Sequence, residues 1–259
     1  MAAYLQGVWG YRYFWLSLVR LDLRNRYRGS FLGVGWSLLQ PIAMTAIICT
    51  VFGKILDQPL AVFGPWVLSG MTFWAFVVSS TLQGCQCFFQ AEGYIRQHPA
   101  PLAIYPLRTV LGAAFHFLLG MAVLIPVAGF FIGHLHPAAL LSLIPTGCLL
   151  LILGWSLAVI GGLANVYFQD TQHLTEILFQ ILFYLTPIMY PPDKVPSSIA
   201  TLLNYNPLVW FLNLIRDPII HGRVPSPGSF LLASVVVLLL AGIASLSLAQ
   251  CGRRVIFLL

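Results

Sequence analysis

Residues 229–250 read SFLLASVVVLLLAGIASLSLAQ, a run without a charged side chain whose centre, Val235 to Leu240, is wholly aliphatic. About 20 apolar residues cross the hydrocarbon core of a bilayer as a helix, and a helix satisfies its own backbone hydrogen bonds where no water can. A helix apolar around every face belongs in lipid or in the middle of a large core. This chain cannot wrap such a core. Of its 259 residues, 59% are hydrophobic and only 8% charged, against about a quarter charged in soluble domains.

Working outward from that run, the same reading finds spans at 34–56, 65–89, 109–132, 138–164 and 174–190, the last near the minimum length. The expectation is an all-α, polytopic membrane protein of six transmembrane helices forming a single transmembrane domain, 1–259. The N-terminus is aromatic and Arg-rich, without the short apolar core and small residues of a cleavable signal, so the spans themselves are expected to integrate the chain. An even count places both termini on one side. If that side is the cytoplasm, it holds Arg12, Arg20, Arg24, Arg26, Arg28, Arg96, Arg108, Arg253 and Arg254, and the other side holds Lys54, Lys194, Arg216 and Arg223. That asymmetry agrees with the positive-inside rule.

Two stretches outside the spans carry information. Residues 9–28 mix Trp9, Tyr11, Tyr13, Phe14, Trp15, Leu18 and Leu21 with arginines, and Arg20, Arg24 and Arg28 recur every fourth residue. On a helix that spacing makes a narrow basic stripe. The stretch is either the topogenic charge cluster before a first span or a helix lying in the membrane interface, arginines towards headgroup phosphates. Residues 191–227 are too polar and proline-rich to span, yet contain apolar pieces at 199–203 and 208–215. They suggest two short helices, over about 197–216, broken at Asn204-Tyr205-Asn206-Pro207, since proline disfavours helix just before it and suits a first helical turn. An ordinary external loop is the other reading.

Chemistry-bearing patterns are scarce. There is no Gly-rich phosphate loop ending in Gly-Lys-Ser/Thr, so no ATP site of that type, and no zinc-protease motif or nucleophile elbow. Cys85 and Cys87 lack a second ligand pair, so no metal is expected. The five cysteines, scattered through apolar runs, form no disulfide framework. The net charge of +6 comes from residues flanking the spans, which gives no reason to expect nucleic acid. Ionisable groups deep in spans mark ion-coupled carriers, and here Glu176 is the sole acid within an expected span. The motive force is therefore expected to come from elsewhere.

The spans carry aromatics instead: Phe73, Trp74 and Phe76 in the second, and Phe179, Phe183, Tyr184 and Tyr190 in the fifth. Aromatic faces stack on sugar rings, and tyrosine and tryptophan tips hydrogen-bond, so such residues can line a passage for a sugar polymer or simply pack in the core. After the second span, Glu92, Gly93, Tyr94, Ile95, Arg96, Gln97 and His98 lead into prolines. Residues 90–100 suggest a short cytoplasmic helix, a handle for a partner, or a plain connection.

Three stretches together resemble the permease subunits of type-2 ABC exporters of polysaccharides. Residues 20–41, RLDLRNRYRGSFLGVGWSLLQP, are similar to the entrance to the first span in that family. Residues 92–108, EGYIRQHPAPLAIYPLR, resemble its coupling-helix region. LTPIMY at 185–190 and NYNPLVWFLNLIRDPI at 204–219 resemble the end of its fifth span and its external gate helices. Gln169 stands where relatives often place a basic residue, and the tail RRVIFLL is short and apolar.

The resemblance implies a permease for lipid-linked polysaccharide, with O-antigen on undecaprenyl pyrophosphate the nearest case, in the bacterial inner membrane. It implies a homodimer around a central channel and two separate ATPase subunits that hold ATP and Mg, so that this chain carries no cofactor and no catalytic residue. It implies that residues 92–98 contact the ATPase and that Arg20, Arg24, Arg26 and Arg28 lie near the lipid pyrophosphate. Rival readings are an exporter of capsular polysaccharide, teichoic acid or a smaller lipid or drug. A membrane-embedded transferase is the rival of another class, with Asp170, His173 and Glu176 as the acid-histidine cluster it would need.

Overall fold

A computed structural model describes residues 2–97, 100–133, 135–192, 196, 203 and 205–259. Among the described residues the chain is helical, without strands. The helices are α1 (Ala2–Gly10), α2 (Arg12–Tyr27), α3 (Trp36–Ile55), α4 (Leu60–Cys85), α5 (Glu92–Gln97), α6 (Ile104–Ile132), α7 (Pro137–Leu141), α8 (Leu143–Tyr167), α9 (Thr171–Leu185), α10 (Pro207–Ile220) and α11 (Pro227–Leu258).

Among the described residues five segments are long and apolar enough to cross a membrane: Gly33–Ile55, Leu60–Cys85, Ile104–Ile132, Pro137–Tyr167 and Pro227–Gly252. The expectation of six spanning helices is met by only these five. The fifth expected span, 174–190, is instead the 15-residue α9 and a non-helical leg that turns at Thr186–Ile188. Fifteen residues rise about 22 Å, short of the hydrocarbon thickness of about 30 Å. Pro187 is the physical reason, because the residue before a proline is pushed out of the helical region, and Thr186 is extended at ψ 131°.

Both ends of the chain nevertheless lie at the same end of the bundle. Gly7 of α1 approaches Pro101 and Gly252 of α11 approaches Leu102, neighbours in one loop. The α9 leg runs alongside α4. It starts beside Gln86, bonded to Gln172, and reaches the level of Trp66, twenty residues back along α4.

α4 is the hub, packed against α3, α6, α8, α9 and α10. Lipid supplies no hydrophobic force between helices, so close van der Waals packing must hold them. At Gly84, a Cβ would stand 2.5 Å from the Cα of Ala158. Only glycine permits that approach of α4 to α8, and Asn165 locks it by donating to the Cys85 carbonyl at 2.9 Å. All five cysteines are free thiols.

Two helices are poorly covered. α3 buries only Ile48 and Cys49, and α9 only Phe179. They flank α4 on either side and leave long apolar faces bare, including Ile47 and Val51 on α3 and Ile177 and Ile181 on α9.

Candidate functional site

The site is built from two ends of the bundle and the space between them. At the first end the N-terminal stretch forms two helices rather than one over 9–28. The break falls at Tyr11 (φ −86°, ψ 16°) after Gly10, a residue that costs helix stability, and the Trp15 indole donates back to the Val8 carbonyl at 3.2 Å. α2 carries Arg20, Arg24 and Arg26, all exposed. Arg28 stands just outside it, because the helix stops at Tyr27 and Arg28 is extended at ψ 124°. The every-fourth-residue stripe is thus cut short at Arg24. Among the described residues none of these four arginines is ion-paired.

What fixes α2 is a pair of contacts that sequence spacing did not reveal. Asp22 takes a two-pronged ion pair from Nε and Nη2 of Arg108 at the start of α6. Tyr27 hydrogen-bonds through its hydroxyl to Ser37 of α3 and, at 3.1 Å, to Nδ1 of His116 on α6. Asp22 is the only acid in the basic stretch, which was the one available signal. His116, set in an apolar run of the sequence, has its partner here.

The predicted handle is the six-residue α5 between α4 and α6. Ile95 is buried, Tyr94 half-buried, and Gly93, Arg96 and Gln97 exposed. Glu92 and Arg96 form a helical ion pair at 2.9 Å. His98 lies outside the described residues. The Tyr94 ring faces inward, edge-on to Phe14 of α2 with 5.9 Å between centroids. Val8, Phe14 and Trp15 pack with Tyr94, Ala100 and Leu102 over a buried cluster that includes Ile95 and Tyr105. The entrance helix and the handle share one apolar joint.

Between α2, α3, α4 and α6 lies a cavity of about 770 Å³. One part of its wall is polar, with Arg26, Tyr27, Ser30, Ser37, Gln40 and His116, and another is aromatic, with Trp36, Trp74 and Phe117. A smaller groove of about 260 Å³ between α4 and α9 is lined by Trp74, Glu176, Phe179, Gln180, Phe183 and Tyr184.

The expected passage aromatics divide accordingly. Phe73 is fully buried in the central core, so it does not line a passage; Phe76 is almost as buried, with only its edge reaching the cavity wall. Residue type alone does not say which way a ring points. Trp74 touches both spaces and meets Phe179 and Phe183 edge-on, at 5.6 Å each. Tyr184 is exposed, and its carbonyl accepts from the Tyr190 hydroxyl at 2.8 Å.

At the opposite end of the bundle α10 caps the helices. Asn206 accepts from the Leu208 N–H at 3.0 Å and Pro207 begins the helix, the usual capping logic. The first of the two external helices expected over 197–216 falls largely outside the described residues. Arg216, read from sequence as an external charge, is 1% exposed. Its Nε donates to Ser69 Oγ (3.2 Å), Nη1 to the Pro187 carbonyl (2.8 Å) and Nη2 to the carbonyls of Trp66 (3.1 Å) and Ile188 (3.4 Å). The guanidinium lies 3.7 Å from the centroid of the Trp66 ring. The nearby Asp217 is bonded to Arg223 instead, at 2.7 Å. Burial lowers the pKa of His221, just past α10, and the charge of Arg223 adds to that effect.

Among the described residues no three His, Cys, Asp or Glu side chains gather to hold a metal. In the acid-histidine cluster, His173 stands 3.6 Å from Glu176 on the exposed face of α9. Asp170 is the residue before α9.

The profile of the ABC-2 type transporter family matches residues 13–220, most of the chain and most of the site just described. The chain belongs to that family. This ABC-2 protein is 27% identical over 251 residues to an O-antigen export system permease protein of Myxococcus xanthus, covering 95% of each chain. It is 26% identical over 207 residues, 78% of each chain, to an O-antigen export system permease protein of Klebsiella pneumoniae. It is also 25% identical over 232 residues to a polysialic acid transport protein of Escherichia coli, covering 86% of this chain and 88% of that one. As an ABC-2 family member with five apolar helices of spanning length among its described residues, it is a multi-pass transport subunit.

Proposed function

We propose that the chain is the permease subunit of an ABC exporter for a lipid-linked polysaccharide, with O-antigen on undecaprenyl pyrophosphate the best-supported cargo. The observation that carries this reading is similarity along 78–95% of the chain to permeases named for glycan export. The structure is compatible with it on physical grounds. The five spanning segments contain no Asp or Glu, so none of them carries a carboxylate for ion coupling. The motive force then falls to a partner ATPase that binds ATP and Mg and docks on the exposed side of α5.

The bare faces of α3 and α9 flank the Trp74 aromatics and support a homodimer. Two copies facing each other there enclose a passage lined by Trp74, Phe183 and Tyr184. In this reading α2 and α5 lie on the cytoplasmic face of the bacterial inner membrane with both termini, and α10 lies on the outer side.

Reconstitution with the partner ATPase tests the proposal. ATP hydrolysis is expected to rise when polyprenyl-pyrophosphate-linked glycan is supplied. Glycosyl transfer by this chain alone would overturn it. The polysialic acid relative favours a capsular polysaccharide as second reading, and supplying glycans on different lipid anchors in the same assay decides between them.

A further inference from the structure

We propose that the 770 Å³ cavity between α2, α3, α4 and α6 holds the phosphate-bearing head of the glycan's lipid anchor, with Tyr27 as the bolt that closes it. This rests on the lipid-linked export reading and assigns the anchor a place within a single subunit.

The wall chemistry selects the ligand. The hydroxyls of Tyr27, Ser30 and Ser37, the Gln40 amide, the His116 ring and the Arg26 guanidinium are all able to donate hydrogen bonds. Among the described lining residues Arg26 is the only charge, and no carboxylate is among them. A donor-rich wall with one cation and no anion suits phosphate oxygens, which only accept. Trp36, Trp74 and Phe117 offer ring faces on which a first sugar can stack. The volume falls in the range that encloses a small ligand, roughly 300–1,000 Å³. It therefore admits a headgroup and a sugar but not a polymer or a long isoprenoid tail.

The position selects a lipid. One helix, α3, separates the polar cavity from the hydrocarbon, and its opposite face is bare. α3 is joined to α2 by residues 28–35, where Gly29 (φ 76°) and Gly33 (φ 51°) occupy the left-handed region. Such positions favour glycine. α2 itself is clamped to α6 by Asp22 and Arg108. When α3 swings on this link, Ser37 leaves the Tyr27 hydroxyl, and a phosphate oxygen takes its place while the tail stays in the bilayer.

The test measures retention of a short-glycan polyprenyl pyrophosphate by the purified chain in detergent, using native mass spectrometry. The unphosphorylated polyprenyl glycoside and phosphatidylglycerol serve as comparisons. Ala75 lines the cavity yet is exposed, so Ala75→Trp fills the space without entering the core. It is expected to weaken pyrophosphate-lipid binding about tenfold or more, and Arg26→Gln and Tyr27→Phe about fivefold each, the scale of one lost charged or neutral hydrogen bond. The glycoside is expected to be indifferent to Arg26→Gln. If Ala75→Trp binds and exports like the unsubstituted chain, the cavity assignment is wrong and the export reading stands. If the unsubstituted chain prefers phosphatidylglycerol, the cavity is an ordinary lipid site and the proposal falls. If the unsubstituted chain neither binds the pyrophosphate lipid nor exports glycan, the export reading falls with it.

Discussion

Phe14 and Tyr94 meet edge-on, 5.9 Å between ring centroids, joining the basic N-terminal helix to the handle between α4 and α6. Tyr94 is therefore an internal linkage, whereas Arg96 on the exposed side is the group a partner can touch. Arg96→Glu is expected to abolish co-purification with the ATPase. Phe14→Ala and Tyr94→Ala are expected to retain it but lower glycan-stimulated ATP hydrolysis. In a double-mutant cycle on thermal unfolding, the pair should show a coupling of about 1 kcal/mol, typical of an aromatic pair. Loss of co-purification in Tyr94→Ala would show the ring faces the partner instead.

The ion pair of Asp22 with Arg108 holds α2 against α6. Asp22 is 40% exposed and Arg108 13% exposed at the side chain, so solvent screening limits its worth to about 1 kcal/mol. Asp22→Asn is expected to leave overall unfolding nearly unchanged while making residues 28–35 more open to limited proteolysis. The charge-swapped pair Asp22→Arg with Arg108→Asp should restore protection. Equal cleavage in all forms would mean that Tyr27 alone secures the helix.

Arg24 and Arg28 are exposed and unpaired among the described residues. Reversing both to Glu is expected to cut export severalfold, by repelling an anionic headgroup at the entrance, with the unfolding temperature shifted by no more than a degree or two, since surface substitutions stay within about 0.5 kcal/mol. Unchanged export in cells producing the variant at normal level would remove these residues from the entrance.

Arg216 supplies donors to three carbonyls and a hydroxyl in a buried space. Arg216→Ala strands those acceptors and is expected to destabilise the chain by about 3 kcal/mol or more. Arg216→Lys is expected to rescue less than half of that, because an ammonium cannot reproduce the planar fork. Thermal unfolding in detergent and protease sensitivity beside α10 report the effect. A fully stable Arg216→Ala would mean that water replaces the guanidinium without loss.

The all-helical, multi-span fold is legible in the sequence because apolar length alone specifies it, as in residues 229–250 within α11. The short α9 is not. Thr186 to Tyr190 are apolar enough to count as membrane, and only the proline hints that the helix stops. Tyr27 and His116 stand 89 residues apart, and Arg216 and Trp66 stand 150 apart. Those partners leave no local trace, since backbone carbonyls carry no residue-type signature. Phe73 and Trp74 are adjacent aromatics, yet one is core and the other faces the two cavities, a difference of direction that composition does not hold.

The shell around Arg216 draws on α4, the turn after α9, and α10, three segments that reach the membrane at different moments of synthesis. Only when all three are correctly threaded does the guanidinium find its acceptors. A misthreaded chain leaves an arginine bare in hydrocarbon, at a cost of about 2.5–3.5 kcal/mol even by insertion scales. One residue thus ties the correct threading of three separate segments to a single set of hydrogen bonds.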